Sequence, residues 1–216
     1  MSANIPNPIK ICHIVHIDNL QSIIADGFLF SDAEMRKRAK NGVVIGMDKI
    51  KNRRLTLPII SHKRLCVGEC VPFYFCPRSP MLYMFYRGNS PDIKYSGGQE
   101  SIVHLVADMR RTIEWADNNN FRWAFTTSNA GSNYFEDYAD LKDLNKIDWQ
   151  AVRATQWHDR DIKEKKQAEF LVENCFSWEL VDEIGVFSQK QYNQIQELRI
   201  PKQKIPLVKI KKEWYY

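Results

Sequence analysis

The sequence lacks the features that mark membrane and secreted proteins. No apolar run in its 216 residues approaches the roughly 20 residues that a membrane helix needs. The N-terminal residues 1–16 also lack the long apolar segment of a secretory signal. We therefore expect a cytoplasmic protein with no membrane association.

Glycine-rich phosphate loops are also missing. Neither GxGxxG nor GxxxxGK[ST] occurs, and there are no internal repeats or low-complexity tracts. If a nucleotide binds, it is therefore not held by a Rossmann or Walker mechanism. The length is sufficient for one domain with a substantial core.

Cysteine is sparse and odd in number. The five cysteines are Cys12, Cys66, Cys70, Cys76 and Cys175. An odd number in a chain without a secretory signal favours reduced thiols. His62, Cys66 and Cys70 lie close in sequence, but no second ligand pair follows at finger-like spacing. We expect no structural metal.

What the chain does have is an excess of basic residues, with a net charge of +5. The basic residues cluster at positions 36–38, 49–54, 163–166 and 209–212. Most charge clusters are solvated surface. Several clusters interleaved with aromatic residues nevertheless favour an anionic partner, and nucleic acid before others.

The N-terminal third predicts a strand followed by helices. Residues 9–17 alternate as a strand, and Asp18 with Gln21 resembles a capping box for a helix that Gly27 ends. A second box at Ser31 predicts a basic helix ending near residue 42, and Asp48 is a candidate N-cap for a third.

Further along, short strands alternate with helices. We predict strands at 71–76, 101–106, 122–125, 168–173, 183–187 and 208–210, and helices at 79–88, 108–118 and 189–198. Residues 126–166 show helical pieces but no convincing strand, which suggests a functional lid. The sum is an α+β fold with mostly antiparallel strands.

Glu169 opens a buried strand within residues 163–173, KEKKQAEFLVE. A carboxylate held there by rigid backbone suits a site that stabilises developing positive charge. The same residue types are also typical of an acid that caps a strand end and pairs with a lysine. This stretch alone favours the second interpretation.

Several segments together resemble the DarT family, bacterial toxins that ADP-ribosylate single-stranded DNA on thymine. They are residues 13–20 (HIVHIDNL), 50–54 (IKNRR), 71–83 (VPFYFCPRSPMLY), 97–100 (GGQE), 165–172 (KKQAEFLV) and 214–216 (WYY). The likeness runs in order from residue 11 to the C-terminus.

The resemblance implies one domain over residues 1–216 with an ADP-ribosyltransferase fold, in which two small, mostly antiparallel sheets flank an NAD cleft. Residues 35–56 would fold over NAD as a mobile element, and residues 128–169 would present the target base. NAD would be a substrate, and no metal is needed because its leaving group is an activated pyridinium.

By motif position, the resemblance assigns catalysis to Glu169 and Arg54. NAD contacts fall on His13, Ile14, Val15, Asn19, Ser22, Phe30, Arg54 and Tyr74, and DNA contacts on Arg78, Met81 and Lys163. The family has threonine where Val15 stands, so one side-chain contact is missing here. Taken singly, His13 is typical of a core histidine, Asn19 of helix-cap support, and Tyr74 of core or surface packing.

The resemblance also implies a macrodomain antitoxin as partner, and we expect a monomer. Two alternatives remain open. One is an ADP-ribosyltransferase that acts on RNA, another base or protein, or that only consumes NAD. The other is a non-enzymatic, basic nucleic-acid-binding module in which Glu169 is structural.

Overall fold

The computed structural model describes residues 5–39, 42–132, 134–198 and 206–216. Its strands are β1 (Lys10–His16), β2 (Phe28–Phe30), β3 (Cys70–Tyr74), β4 (Ile102–Asp108), β5 (Trp123–Asn129), β6 (Asp137–Tyr138), β7 (Ala168–Glu173), β8 (Cys175–Ser177), β9 (Glu183–Val186) and β10 (Leu207–Ile210). Its α-helices are α1 (Leu20–Asp26), α2 (Asp32–Lys37), α3 (Asp48–Arg54), α4 (Pro80–Arg87), α5 (Met109–Asn118), α6 (Trp149–Arg153), α7 (Arg160–Lys165) and α8 (Gln189–Gln196).

The described strands form a large sheet in the order β10-β9-β4-β1-β3-β7-β5-β6 and a ribbon of β2 and β8. The pairings are antiparallel except that of β9 with β10. The large sheet is nearly split in two: β1 pairs with β4 along its whole length, but meets β3 at the single pair Cys12–Tyr74. The predicted α+β fold of mostly antiparallel sheets with inserted helices is confirmed.

The half-sheet of β3, β7 and β5 has two buried faces. Phe73, Phe170 and Phe125 lie opposite one another in register and face the main core. Leu171 points to the other face, where the chain after α3 covers it with a second apolar cluster that includes Leu65. Glu169 shares the Leu171 face because side chains alternate along a strand.

Several predicted helix ends are confirmed. The Ser31 side chain accepts a hydrogen bond from the Glu34 N–H at the start of α2. Ser79 caps α4 in the same way, and α4 ends at Gly88 in a left-handed conformation. The second glycine stop, Gly27, also adopts the left-handed conformation that glycine favours.

The predicted capping box at Asp18 is wrong. Residues 17–19 form a short 3₁₀ turn, and α1 begins only at Leu20. The backbone N–H of Asp18 donates to the His16 ring, so Asp18 lies inside the turn that His16 caps. Asp48 likewise occupies the first helical position of α3, after Met47, and is not its N-cap.

Two predicted boundaries also move. The basic helix α2 ends at Lys37 and not near residue 42; the predicted extension includes residues 40–41, which lie outside the described residues. The span 126–166 is more regular than predicted. It contains the end of β5, the edge strand β6, a 3₁₀ helix over Leu141–Lys146, and α6 and α7. The short strand β8 was also missed.

All five cysteines lie in described residues and are free thiols. Across the described ranges, no group of three or more His, Cys, Asp or Glu side chains is placed to hold a metal. No helix in the same ranges is long and apolar enough to cross a membrane.

Candidate active site

The structure brings Glu169 and Arg54 together. The Arg54 guanidinium donates to both carboxylate oxygens of Glu169, at 3.2 Å to Oε1 and 2.8 Å to Oε2. The Glu169 side chain is 3% exposed and that of Arg54 is 13% exposed. Within the part of the chain that the structure describes, Glu169 therefore pairs with an arginine and not with a lysine, as the simpler sequence interpretation had it. Lys166 instead turns inward and donates to the Val152 carbonyl at 2.9 Å.

An irregularity in β5 holds Glu169 in place. β5 pairs with β7 at Phe125 and again at Asn129, with a register shift between. In the shifted stretch, the Thr126 hydroxyl accepts from the Glu169 backbone N–H at 3.0 Å. Just past it, the Ala130 N–H donates to Glu169 Oε1 at 3.1 Å. The bulge thus supplies two contacts that regular pairing does not.

Arg54 is fixed by the packing at the end of α3. A Cβ atom on Gly68 would lie 2.7 Å from the Leu55 nitrogen, so only glycine lets the chain pass this close. One turn earlier in α3, Lys51 pairs with Asp32 of α2 at 2.5 Å. Sequence reasoning missed Gly68, Thr126 and Ala130, because each acts through a long-range contact that leaves no local pattern.

Tyr74 lies directly opposite Glu169 across β3 and β7. Directly opposed residues share a face of the sheet, so the phenol and the carboxylate are neighbours. Burial raises the pKa of the Tyr74 hydroxyl, with the Glu169 charge adding to the effect. Tyr74 is therefore neutral at physiological pH.

His13 also joins this group. Its Nδ1 donates to the Pro72 carbonyl at 2.8 Å, and its ring meets Phe73 edge-on. Burial lowers the pKa of His13 to about 4, and the Arg54 charge acts in the same direction. The ring is therefore neutral at pH 7, which leaves Nε2 as a hydrogen-bond acceptor. His13 is satisfied by the fold and still offers one polar atom.

The other predicted NAD residues lie on the segment that runs from β1 to β2. Ile14 and Val15 follow His13 on β1. Asn19 does not cap α1: its side-chain amide exchanges two hydrogen bonds with the Val43 backbone, at 2.8 and 2.9 Å. Ser22 donates to the Asn19 carbonyl, and the Arg38 guanidinium covers the Phe30 ring at 4.0 Å.

The predicted DNA residues lie on the segments that flank Tyr74 and Glu169. Arg78 precedes α4 and stacks on the Tyr216 ring at 4.3 Å, while Met81 lies in the first turn of α4. Lys163 is exposed on α7, which leads directly into β7. These side chains do not touch Glu169 but border its end of the sheet.

The sequence and fold were compared with known proteins. The family model described as "DarT: ssDNA thymidine ADP-ribosyltransferase, DarT" matches residues 12–216. The chain belongs to the DarT family. A DNA ADP-ribosyl transferase from Thermus sp. (strain 2.9) is 35% identical over 219 residues, which cover 100% of both chains.

Solved structures of that Thermus DarT are similar to this chain. One, described as a complex with ADP-ribosylated ssDNA, has a TM-score of 0.90 at 35% identity over 100% of both chains. Another, a complex with NAD⁺, has a TM-score of 0.82 at 34% identity over 98% of this chain and 99% of that one.

A more distant DarT-family relative carries a second activity in its name. It is the DNA ADP-ribosyl transferase-DNA ADP-ribosyl glycohydrolase fusion protein of Thermosipho africanus. The two sequences are 25% identical over 203 residues, which are 92% of this chain and 47% of the fusion protein.

Proposed function

We propose that this chain transfers ADP-ribose from NAD to thymidine bases in single-stranded DNA and releases nicotinamide. The observation that carries the proposal is the Glu169 carboxylate. It is buried on β7, bonded to Arg54 and Ala130, and directly opposite Tyr74. Membership of the DarT family supplies the substrate class.

The chemistry explains why a carboxylate is needed. The bond between the ribose C1′ and the nicotinamide nitrogen breaks, the electron pair leaves with nicotinamide, and positive charge develops on the ribose. A bond then forms from C1′ to the thymine base nitrogen, whose proton is released. Glu169 stabilises the developing charge, as carboxylates do in glycoside hydrolysis.

Arg54 has two roles in this proposal. It fixes the two oxygens of Glu169 with its planar fork, which lysine does not reproduce. Because a guanidinium stays charged, it also stabilises negative charge, either on NAD phosphate or on the deprotonated thymine. We assign it no proton transfer.

NAD binding is proposed for the first half of the cleft. The neutral His13 offers Nε2 as an acceptor, and Tyr74 offers an aromatic face for the nicotinamide ring. Ile14, Val15, Ser22 and Phe30 complete the proposed contacts. Asn19 contributes by holding residue 43, and with it the 35–56 element, against α1.

Residues 128–169 are proposed to present the base. In support, this stretch connects the β5 irregularity to Glu169, and Arg53 next to Arg54 bonds the Gly131 carbonyl. Arg78, Met81 and Lys163 are the proposed DNA contacts. One domain over residues 1–216 would carry both parts of the site.

The biological role follows from the same proposal. A chain that blocks thymine bases is toxic to replication, so we propose a toxin of a toxin–antitoxin system acting in the cytoplasm as a monomer. Its partner would be a macrodomain antitoxin that hydrolyses the adduct. The glycohydrolase half of the Thermosipho africanus fusion protein supports this pairing.

Intact-mass measurement of short oligonucleotides incubated with enzyme and NAD tests the proposal. We expect a gain of one ADP-ribose on single-stranded DNA that contains thymine, and none on the same sequence with thymine replaced. An adduct on RNA, on another base or on protein, or nicotinamide release without any adduct, would contradict the substrate assignment.

The non-enzymatic alternative requires a second measurement. If the chain is only a basic binding module, Glu169→Ala retains its toxicity in cells. We expect this substitution to abolish toxicity while the variant still accumulates as a folded protein.

A further inference from the structure

Four aromatic rings pack together beside the candidate active site, and the proposed function does not use them. This ring cluster consists of Tyr83, Tyr86, Trp157 and Tyr216. The Tyr83 centroid lies 5.0 Å from those of Trp157 and Tyr216, and 6.1 Å from that of Tyr86. Tyr86 and Tyr216 are stacked at 6.1 Å with an interplanar angle of 28°.

The ring cluster is continuous with the site. Cys76 and Lys166 follow and precede the opposed pair Tyr74–Glu169, and they contact each other at 3.6 Å. The two chain segments therefore run side by side beyond the pair. One segment leads to Arg78 and α4, the other to α7. The contact between Tyr83 and Trp157 joins them again further out.

The ring cluster includes one exposed ring and contacts a cation. Tyr86 is 53% exposed, although it touches two other rings. The Arg78 guanidinium lies over Tyr216, whose hydroxyl donates to the Arg78 carbonyl at 3.0 Å. Arg87 and Lys163 are exposed, and within the described residues neither forms an ion pair. An apolar core does not require this combination.

We propose that the ring cluster is a stacking surface for an unpaired base that flanks the target thymidine in the same strand, with Tyr86 as the contacting ring. Aromatic rings bordered by cations bind single strands in this way, because every base offers a flat face while the cations attract phosphate. The inference rests on the proposed function and deepens it. It concerns affinity for the strand and not the identity of the flanking base.

Two substitutions at Tyr86 distinguish the effect of the flat ring on DNA affinity from the effect of an apolar side chain. Tyr86→Leu keeps an apolar side chain without a flat face, and Tyr86→Phe keeps the ring. We expect Tyr86→Leu to raise the KM for an eight-nucleotide substrate by about 5- to 150-fold, which corresponds to about 1–3 kcal/mol per stacked base. The KM for NAD should change little, and Tyr86→Phe should restore the DNA KM to within about twofold of wild type, because stacking supplies the affinity.

Substrates with an abasic site at one flanking position show which base stacks on Tyr86. In wild type, removing one flanking base should weaken the substrate as much as Tyr86→Leu does. In the Tyr86→Leu variant the same removal should have no further effect. A DNA KM that does not respond to Tyr86→Leu overturns the stacking surface while ADP-ribosylation itself stands. If wild type modifies no thymine oligonucleotide, both proposals fall.

Discussion

β7 carries two glutamate–arginine pairs, four residues apart, that differ in their surroundings. At one end Glu169 pairs with Arg54, and the side chains are 3% and 13% exposed. At the other end Glu173 pairs with Arg122, and the corresponding values are 15% and 36%. Both arginines reach both oxygens of their carboxylate.

The difference lies in how many parts of the chain meet at each carboxylate. Among the described residues, the Glu173 carboxylate accepts hydrogen bonds from Arg122, through its backbone N–H, Nε and Nη2. Glu169 draws on Arg54 from α3 and on Ala130 beyond the β5 irregularity, and its backbone is held by Thr126. Burying the charges at Glu169 is costly. The proposed catalytic role of Glu169 accounts for that cost, whereas the pair at Glu173 joins β7 to the residue before β5.

The largest difference between the pairs is expected on removal of the charge. Glu169→Gln keeps the size of the side chain but loses the carboxylate, so we expect kcat for ADP-ribosylation to fall by at least about 10²–10³-fold. Glu173→Gln is the matched control on the same strand and should keep wild-type kcat. Oligonucleotide mass spectrometry under initial-rate conditions measures both. Equal losses in the two variants would contradict a catalytic role restricted to Glu169.

The second effect concerns the arginines. Arg54→Lys keeps the charge but not the two-pronged geometry, and a misplaced catalytic group costs about 10²-fold. We expect a loss of that order in kcat, with a folded protein by circular dichroism. Arg122→Lys makes the same chemical change at the other pair and should leave kcat within about twofold, because Arg122 does not touch the site.

The third effect tests the β5 irregularity. Thr126→Val keeps the shape but leaves the buried Glu169 N–H without its acceptor, a cost of about 1–3 kcal/mol. We expect kcat to fall about 10-fold while the KM for NAD changes less, since Thr126 positions Glu169 and is not among the proposed NAD contacts. Thr126→Ser restores the hydroxyl and should recover kcat. A purely structural role would lower stability in Thr126→Val without the loss of kcat.

The smallest effect is on stability at the second pair. The Arg122 hydrogen bonds lower the pKa of Glu173, so the ionised carboxylate stabilises the folded state above its unfolded pKa of about 4.5. Glu173→Gln should cost about 0.2–1 kcal/mol at pH 7, because the pair is partly exposed. In urea unfolding, the gap between wild type and variant should shrink as the pH falls below about 4.5. A gap that widens on acidification would contradict this sign.

Sequence patterns predicted those parts of the fold that local chemistry determines. Ser79 and Gly88 bound α4 as expected, and the apolar run after Glu169 forms the buried strand β7. Asp18 was misassigned because His16 competes for the same turn. The strands β6 and β8 are two and three residues long, and such short strands are defined by their partners more than by their own pattern.

The residues of the candidate site also fall into two groups, those that the sequence identifies and those that it does not. Glu169 and Arg54 were found through motif resemblance, and their contact is observed. Thr126, Ala130 and Gly68 were not found, since a backbone N–H or a missing Cβ has no sequence signal until the distant chain that it meets is known. The sequence therefore points to the proposed catalytic pair but not to the residues that support it.

The single pair between β1 and β3 has a consequence for how the protein responds to its substrate. Because a single residue pair joins the two half-sheets, their backbones share little hydrogen bonding, and side-chain packing in the core holds them together. A dinucleotide that contacts both half-sheets would hold them together. The link between the half-sheets would then become more rigid as more NAD binds. Amide exchange near Cys12 should therefore slow when NAD is added.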